Sequence, residues 1–350
     1  MELGSNFELD ISNLVKQKDT IFEYLNEFNS IYTDSGRSAI KLLNRVIPCG
    51  KILLPSYICE SVINVYEKEY EIIFYQLKDD FSVDVEDVDK KLDGTVVVFY
   101  LMHYFGAVQP KEILSFLEKR REEHDFIIIE DTTHSIMTQK RTIGDYCVCS
   151  LRKWFAITDG GVLYSTRALP EGVEKKYCRK GIGENLAAMI MKFYYINYGV
   201  ECNDIYREVF IREEEKLDRQ DEIFLLSEIS GELLKYYSIS EIISKRISNY
   251  QLLKNELPSD TISTVCCESD FVPFVFPIFI SCRNKFRKKL MEKKIYCAVH
   301  WPIQNEILQR DKSVMEISES IISLPIDQRY GKEHMKYLID AVLESKNGDC

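Results

Sequence analysis

Short runs of consecutive apolar residues alternate with longer amphipathic stretches through the first half of the chain. Ile52-Leu53-Leu54 predicts a strand, Cys59–Lys68 a helix and Glu71–Leu77 the next strand. Val83–Leu92 reads as helix, Thr95–Met102 as a strongly apolar strand, Lys111–Glu123 as helix and Phe126–Asp131 as strand. Strands apolar at nearly every position are buried on both faces. Their alternation with helices is the pattern of a mostly parallel sheet covered by helices, an α/β fold. Asp145–Ser150 and Gly161–Ser165 predict two further strands, joined by a loop that ends in a glycine pair.

The texture changes near residue 181. Asn185–Tyr198 reads as a helix rich in aromatics (Phe193, Tyr194, Tyr195, Tyr198) that Gly199 can stop, and Arg207–Arg219 is a charge run of mixed sign that reads as solvated. Leu226–Leu257 predicts mostly helix up to Pro258. The tail then reads as strand (Phe274–Ser281), helix (Asn284–Lys293), strand (Tyr296–Trp301), a short strand at Ile321–Leu324 and helix (Lys332–Glu344). This predicts a large α/β domain over residues 1–230 and a smaller C-terminal α+β domain over 231–350.

Composition narrows the class. The chain has 350 residues, 45% hydrophobic and 29% charged, which excludes a disordered or low-complexity protein. A net charge of −11 leaves no basic surplus to neutralise phosphates, so nucleic acid and anionic membrane are not expected partners. No apolar run approaches the roughly eighteen residues of a spanning helix, and MELGSNFELD has no secretory pattern, so a cytoplasmic location is expected. The eleven cysteines are scattered, Cys266 and Cys267 being adjacent, with no CxxC pair and no zinc spacing. They read as reduced thiols that fill apolar space, and no metal site is expected.

Three places could carry chemistry. Asp131 stands at the carboxyl end of a predicted strand, where open α/β sheets bind ligands, and His134 follows in DTTH. Taken alone, a capping aspartate and a surface histidine explain them better. Lys153 follows the strand ending at Ser150; most such lysines are solvated, but a partly desolvated one can attack a carbonyl. Ser35-Gly36-Arg37-Ser38 opens a predicted helix over Ala39–Val46, where free N–H groups suit an anion, although a plain N-cap by Ser35 or Asp34 serves equally well. In that order, a phosphate cradle, a strand-end aspartate and a lysine one strand later make the parts of a pyridoxal phosphate site. The lysine joins the cofactor, the aspartate keeps its ring nitrogen protonated, and the helix start holds its phosphate.

Segments along nearly the whole chain are similar, in order, to those of one family. SGRSAI is similar to its phosphate loop, LLPSYIC to a strand end, MHYFG to its His-aromatic-Gly stretch and IEDTTHS to its Asp-x-x-Gln/His motif. SLRKWFAITDGG resembles its lysine loop, and YCAVHWPI and ISLPI its closing strands. The family is the DegT/DnrJ/StrS group of fold-type-I pyridoxal phosphate aminotransferases, most of which aminate keto sugars attached to nucleotides. The resemblance implies Lys153 as the lysine bound to the cofactor and Asp131 as partner of its ring nitrogen. It implies His134 near the ring hydroxyl, and Ser150 with Gly36, Arg37 and Ser38 at the phosphate. His103, His300 and Trp301 would line the substrate side, where core packing explains each of them nearly as well. An amino donor and a keto acceptor are the implied small-molecule partners, and a homodimer the implied assembly.

The chain departs from the family in four ways. Lys153 lies only three positions after Ser150, about two fewer than usual, and an ungapped alignment from Ser150 puts Phe155 at the lysine position. Cys59 replaces the common stacking aromatic, leaving Tyr57 or another ring to substitute. Arg37 replaces a threonine, and no Asn-aromatic-Arg stretch occurs near Phe224–Ser227. Two alternatives accompany the aminotransferase reading: a non-transaminating enzyme using the same cofactor, such as a sugar dehydratase, and a non-catalytic ligand-binding relative.

Overall fold

The computed structural model describes residues 1–12, 14–171, 176–177, 181–259, 265 and 270–346. It is an α/β protein with a seven-stranded, mostly parallel central sheet flanked by helices, as the apolar pattern predicts. Residue contacts divide the chain into two compact units. One comprises Met1–Ser5, Pro48–Asp145 and Glu241–Cys350; the other comprises Asn6–Ile47 and Tyr146–Ser240.

In the first unit four strands lie side by side in the order Ile127–Asp131, Val96–Met102, Lys51–Pro55 and Glu71–Tyr75, all parallel. The helices Glu60–Tyr66, Val85–Lys91 and Lys111–His124 connect them in sequence. Phe99 sits in the central strand opposite Ile128 on one side and Leu53 on the other. Its ring stacks on Tyr75 at 4.8 Å, within a cluster that includes Val88, Leu101, Leu117 and Ile128. A second cluster gathers the tail. The antiparallel pair Phe276–Phe279 and Ile321–Leu324 packs with the helices Arg283–Glu292 and Lys332–Lys346 around Ile278, Phe286, Leu290 and Leu338.

The second unit carries three strands in the order Asn29–Thr33, Gly161–Ser165 and Tyr146–Cys149, each antiparallel to its neighbour. The helix Gly36–Asn44 packs on the last two. The helices Ile182–Tyr198 and Asn203–Asp218 pack on each other, joined through Gly199 in the left-handed region at φ 69°.

Several elements differ from the sequence reading. The helix expected at Ala39 starts at Gly36, because the Ser35 hydroxyl caps it by accepting from the Ser38 N–H at 3.1 Å. The helix expected over Leu226–Leu257 is broken into Glu228–Leu233, a 3-10 turn at Leu234–Tyr236, and Ile239–Glu256. Asp19 makes the break, accepting from the Ser240 N–H and the Ser238 hydroxyl, both at 2.9 Å. The strand expected at Tyr296–Trp301 is reduced to Ile295–Tyr296, paired with Leu3–Gly4. The charge run Arg207–Arg219 lies largely in the helix Asn203–Asp218, which buries Tyr206 and Phe210 four residues apart. The strand Asn29–Thr33 and the helix Lys312–Ser320 were absent from the sequence reading. Cys147, Cys149 and Cys297 are buried fillers, Cys49 is exposed, and Cys266 and Cys267 lie outside the described residues. Among the described residues no helix is long and apolar enough to cross a membrane.

Truncating Phe99 to Ala leaves a cavity on the face of the sheet, among Tyr75, Val88 and Leu117. The expected loss is about 3–5 kcal/mol of unfolding free energy, measured by urea denaturation.

Candidate functional site

The residues singled out in the sequence fall into two groups, one in each unit. In the first unit Asp131 ends its strand and is 6% exposed. The Tyr100 hydroxyl donates to its Oδ2 at 2.8 Å, and the Thr133 N–H donates to Oδ1 at 2.8 Å. Burial pushes the Asp131 carboxyl up, against the hydrogen bonds from Thr133 and Tyr100 and the influence of His103. Tyr66 is edge-on to Tyr100 at 5.8 Å, with a buried hydroxyl that has no hydrogen-bond partner among the described residues.

His134 is buried in an aromatic stack, parallel to Phe274 at 4.3 Å and to Trp301 at 5.4 Å. Its Nδ1 accepts from the Phe105 N–H at 3.4 Å. Gly106, at φ 111°, lets the neighbouring chain come close, since a Cβ there would lie 2.3 Å from the Val272 carbonyl oxygen. That approach leaves the Phe274 N–H bonded to the Phe105 carbonyl at 2.9 Å and its ring against His134. His300 stands edge-on to His134 at 5.4 Å, with Nδ1 2.8 Å from the Ser323 hydroxyl. So His134, His300 and Trp301 come together.

His103 does not join them. It is fully buried, its Nδ1 accepts from the Gln109 N–H at 3.1 Å, and its Nε2 lies 3.0 Å from Glu130 Oε1. An accepting Nδ1 leaves the proton on Nε2, which donates to Glu130. Neighbouring strand residues face opposite sides, so Glu130 leaves the strand away from Asp131. Burial works to raise Glu130, but the bond from His103 and those from Gly144 and Thr142 outweigh it and hold the carboxyl down. Tyr57 is also fully buried, and its hydroxyl donates to the His300 carbonyl. Cys59 is half-buried at the start of the helix Glu60–Tyr66, its sulfur 3.1 Å from the Ser61 hydroxyl.

The second unit holds the other group. Gly161 pairs with Thr33, and a Cβ on Gly161 would lie 2.3 Å from the Ser35 carbonyl carbon and 2.5 Å from the Gly36 nitrogen. A Cβ on Gly36 would in turn meet the Ser150 Cβ at 3.3 Å. The helix start therefore lies directly against Ser150, and the Gly36 and Arg37 N–H groups have no hydrogen-bond partner among the described residues. From Ser150 the chain enters a 3-10 turn, Leu151–Lys153, anchored by the Leu151 N–H on the Gly160 carbonyl at 3.0 Å. Lys153 ends that turn and is exposed, whereas Phe155 is fully buried with its ring 5.6 Å from Tyr237.

Arg37 turns its guanidinium to the helix Asn203–Asp218, pairing with Asp218 and with Glu214 at 3.4 Å. Arg152 reaches the same Glu214, with Nη1 to Oε2 at 3.0 Å. The Arg152 guanidinium, against burial, holds the Glu214 carboxyl down at about 2. Glu214 and Tyr100 were missed in the sequence. Glu214 was read as one charge of a solvated run, and Tyr100 as one more ring of a buried strand; its hydroxyl among aliphatic neighbours was the available signal.

No family model matches the sequence, and no curated protein matches it. Solved structures do. Helicobacter pylori PseC, described as an aminotransferase involved in the biosynthesis of pseudoaminic acid, has a TM-score of 0.68 at 16% identity, covering 100% of both chains. NtdA of Bacillus subtilis with bound cofactor PMP has a TM-score of 0.62 at 15% identity, over 93% of this chain and 75% of that one. A DegT DnrJ EryC1 StrS aminotransferase from Brucella abortus has a TM-score of 0.64 at 15% identity, over 93% and 88%. The chain has the fold of these proteins.

The Glu214 carboxyl is held at about 2, below its ordinary 4.5, so its stabilising effect is complete above the ordinary value and lost as pH falls towards 2. Its side chain is 47% exposed, so screening limits the effect to about 1 kcal/mol. Glu214→Gln should therefore lower stability by that amount at neutral pH, with the difference from wild type vanishing at the acid end. Urea denaturation across pH checks this.

Proposed function

We propose that the protein is a pyridoxal phosphate-dependent aminotransferase acting on a keto sugar attached to a nucleotide. The observation that carries this reading is Asp131: a carboxyl at the end of a parallel strand, held at both oxygens, whose charged form burial disfavours. Such a group gains most from a cation brought against it, and a protonated ring nitrogen is one. The second unit, by itself, carries the other groups that the resemblance implies. The unpartnered Gly36 and Arg37 amides suit a phosphate, with Ser38 and Ser150 beside them, and Lys153 follows Ser150 on an exposed turn. Phe155, the other candidate for the lysine position, is core. The likeness to sugar aminotransferases supports the substrate class.

When bound, the cofactor supplies an electron sink for the bond broken at the amino donor's Cα. Asp131 would keep the ring nitrogen protonated by presenting a carboxylate to it. Lys153 would hold the cofactor through Nζ and would serve as the general base for the proton at the donor's Cα. The amides at the helix start hold the phosphate. His134, fixed in its stack, would hold the ring hydroxyl, and His300 and Trp301 beside it would orient the substrate. Incubation with pyridoxal phosphate, borohydride reduction and peptide mapping should place the cofactor on Lys153 and find none in Lys153→Ala. A label on Lys140, the nearest lysine on the amino-terminal side, would refute the assignment.

We further infer a homodimer. Tyr194 and Tyr198 are 46% and 69% exposed, and Ile205 and Ile211 on the packed neighbouring helix are 55% and 63% exposed. Apolar surface of that extent on two adjoining helices is what an interface covers. Sedimentation equilibrium should give twice the chain mass, and a monomer that still transaminates would sink the idea.

A further inference from the structure

We propose that Tyr100 is the positioning residue for Asp131, fixing the carboxylate that the ring nitrogen of the cofactor meets. The inference rests on the aminotransferase reading and deepens it.

Tyr100 lies in the strand Val96–Met102, whose Met102 is in register with Asp131 on the neighbouring strand. Its side chain is fully buried and edge-on to Tyr66, and its carbonyl accepts from the Tyr75 hydroxyl at 2.9 Å. The ring is therefore held on one side by packing, and its strand carbonyl by a hydrogen bond. Its hydroxyl ends on Asp131 Oδ2 while the Thr133 N–H holds Oδ1, so the carboxylate is fixed at both ends and cannot rotate. A phenylalanine would fill the same space without burying a hydroxyl, so packing alone does not call for tyrosine. The titratable groups facing this cluster within its unit are Tyr66 and Cys59 from the helix Glu60–Tyr66 and its start, and His103 from the chain after Met102. None of these makes a hydrogen bond to Asp131 among the described residues. Donation by Tyr100, like that from the Thr133 hydroxyl and amide, favours the carboxylate over the carboxylic acid, so it contributes to the pH below which the site loses its charge.

The test uses the full chain and pyridoxal phosphate, titrated by absorbance as a function of pH. In Tyr100→Phe, binding at neutral pH should weaken roughly tenfold, the worth of one hydrogen bond to a charged group. The acid limb of binding should also move up by about one pH unit. Tyr66→Phe removes an unpartnered hydroxyl from the same cluster and should bind as wild type does. Adding Tyr100→Phe to Asp131→Asn should cost nothing further, because Tyr100 acts through the carboxylate. Unchanged affinity and acid limb in Tyr100→Phe overturn the proposal alone, as do an equal loss in Tyr66→Phe or a further loss in the double variant. A wild-type protein that binds no pyridoxal phosphate overturns the functional reading along with it.

Discussion

The approach of one glycine to one peptide bond sets the geometry of the second unit. Gly161 lies so close to the Ser35–Gly36 peptide that a methyl there would fall within 2.5 Å of three backbone atoms. Backbone cannot rotate aside as a side chain can, so the contact admits no other residue. Everything nearby is referenced to it. Thr33 pairs with Gly161, the Gly160 N–H donates to the Asp34 carbonyl at 2.6 Å, and the Leu151 N–H takes the Gly160 carbonyl. The start of one helix and the start of the lysine loop are thus fixed against the same pair of glycines.

Charge is handled differently on two consecutive residues of one strand. Glu130 is fully buried but receives His103 and the amides of Thr142 and Gly144, so its charge is compensated inside the protein. Asp131 receives the hydroxyls of Thr133 and Tyr100 and the Thr133 amide, and burial still prevails over them. The first is a closed structural network of the kind that fixes a fold. The second keeps a burial penalty that its hydrogen bonds do not offset. Adjacent acids, alike in sequence, are separated only by which face of the sheet they leave.

The fold was largely legible because its information is periodic. Continuous apolar runs gave the parallel strands at Val96–Met102 and Ile127–Asp131, and Gly161–Ser165 and Ile321–Leu324 match to the residue. Elements set by partners distant in sequence were not legible. The break after Tyr236 depends on Asp19, more than two hundred residues away, and the strand Asn29–Thr33 is an NSIYT segment without a strong apolar pattern. At the candidate site, the positions proposed to carry chemistry stood out as residue types at strand ends and a helix start. Their partners were not. Nothing in the sequence says that His103 belongs to Glu130, or that Arg37 turns from the helix start towards a carboxylate at Glu214.

The sharing of Glu214 between Arg37 and Arg152 has a mechanical consequence. The two arginines leave different loops, one opening a helix and one preceding Lys153, and a single carboxylate braces both to the rod Asn203–Asp218. Ile211, one of the most exposed apolar side chains among the described residues, sits a single helical turn from that brace. A helix transmits displacement along its axis with little give, since each turn is tied to the next by hydrogen bonds. The helix start at Gly36 and the turn that leads to Lys153 therefore share one anchor, and a change at Glu214 reaches both.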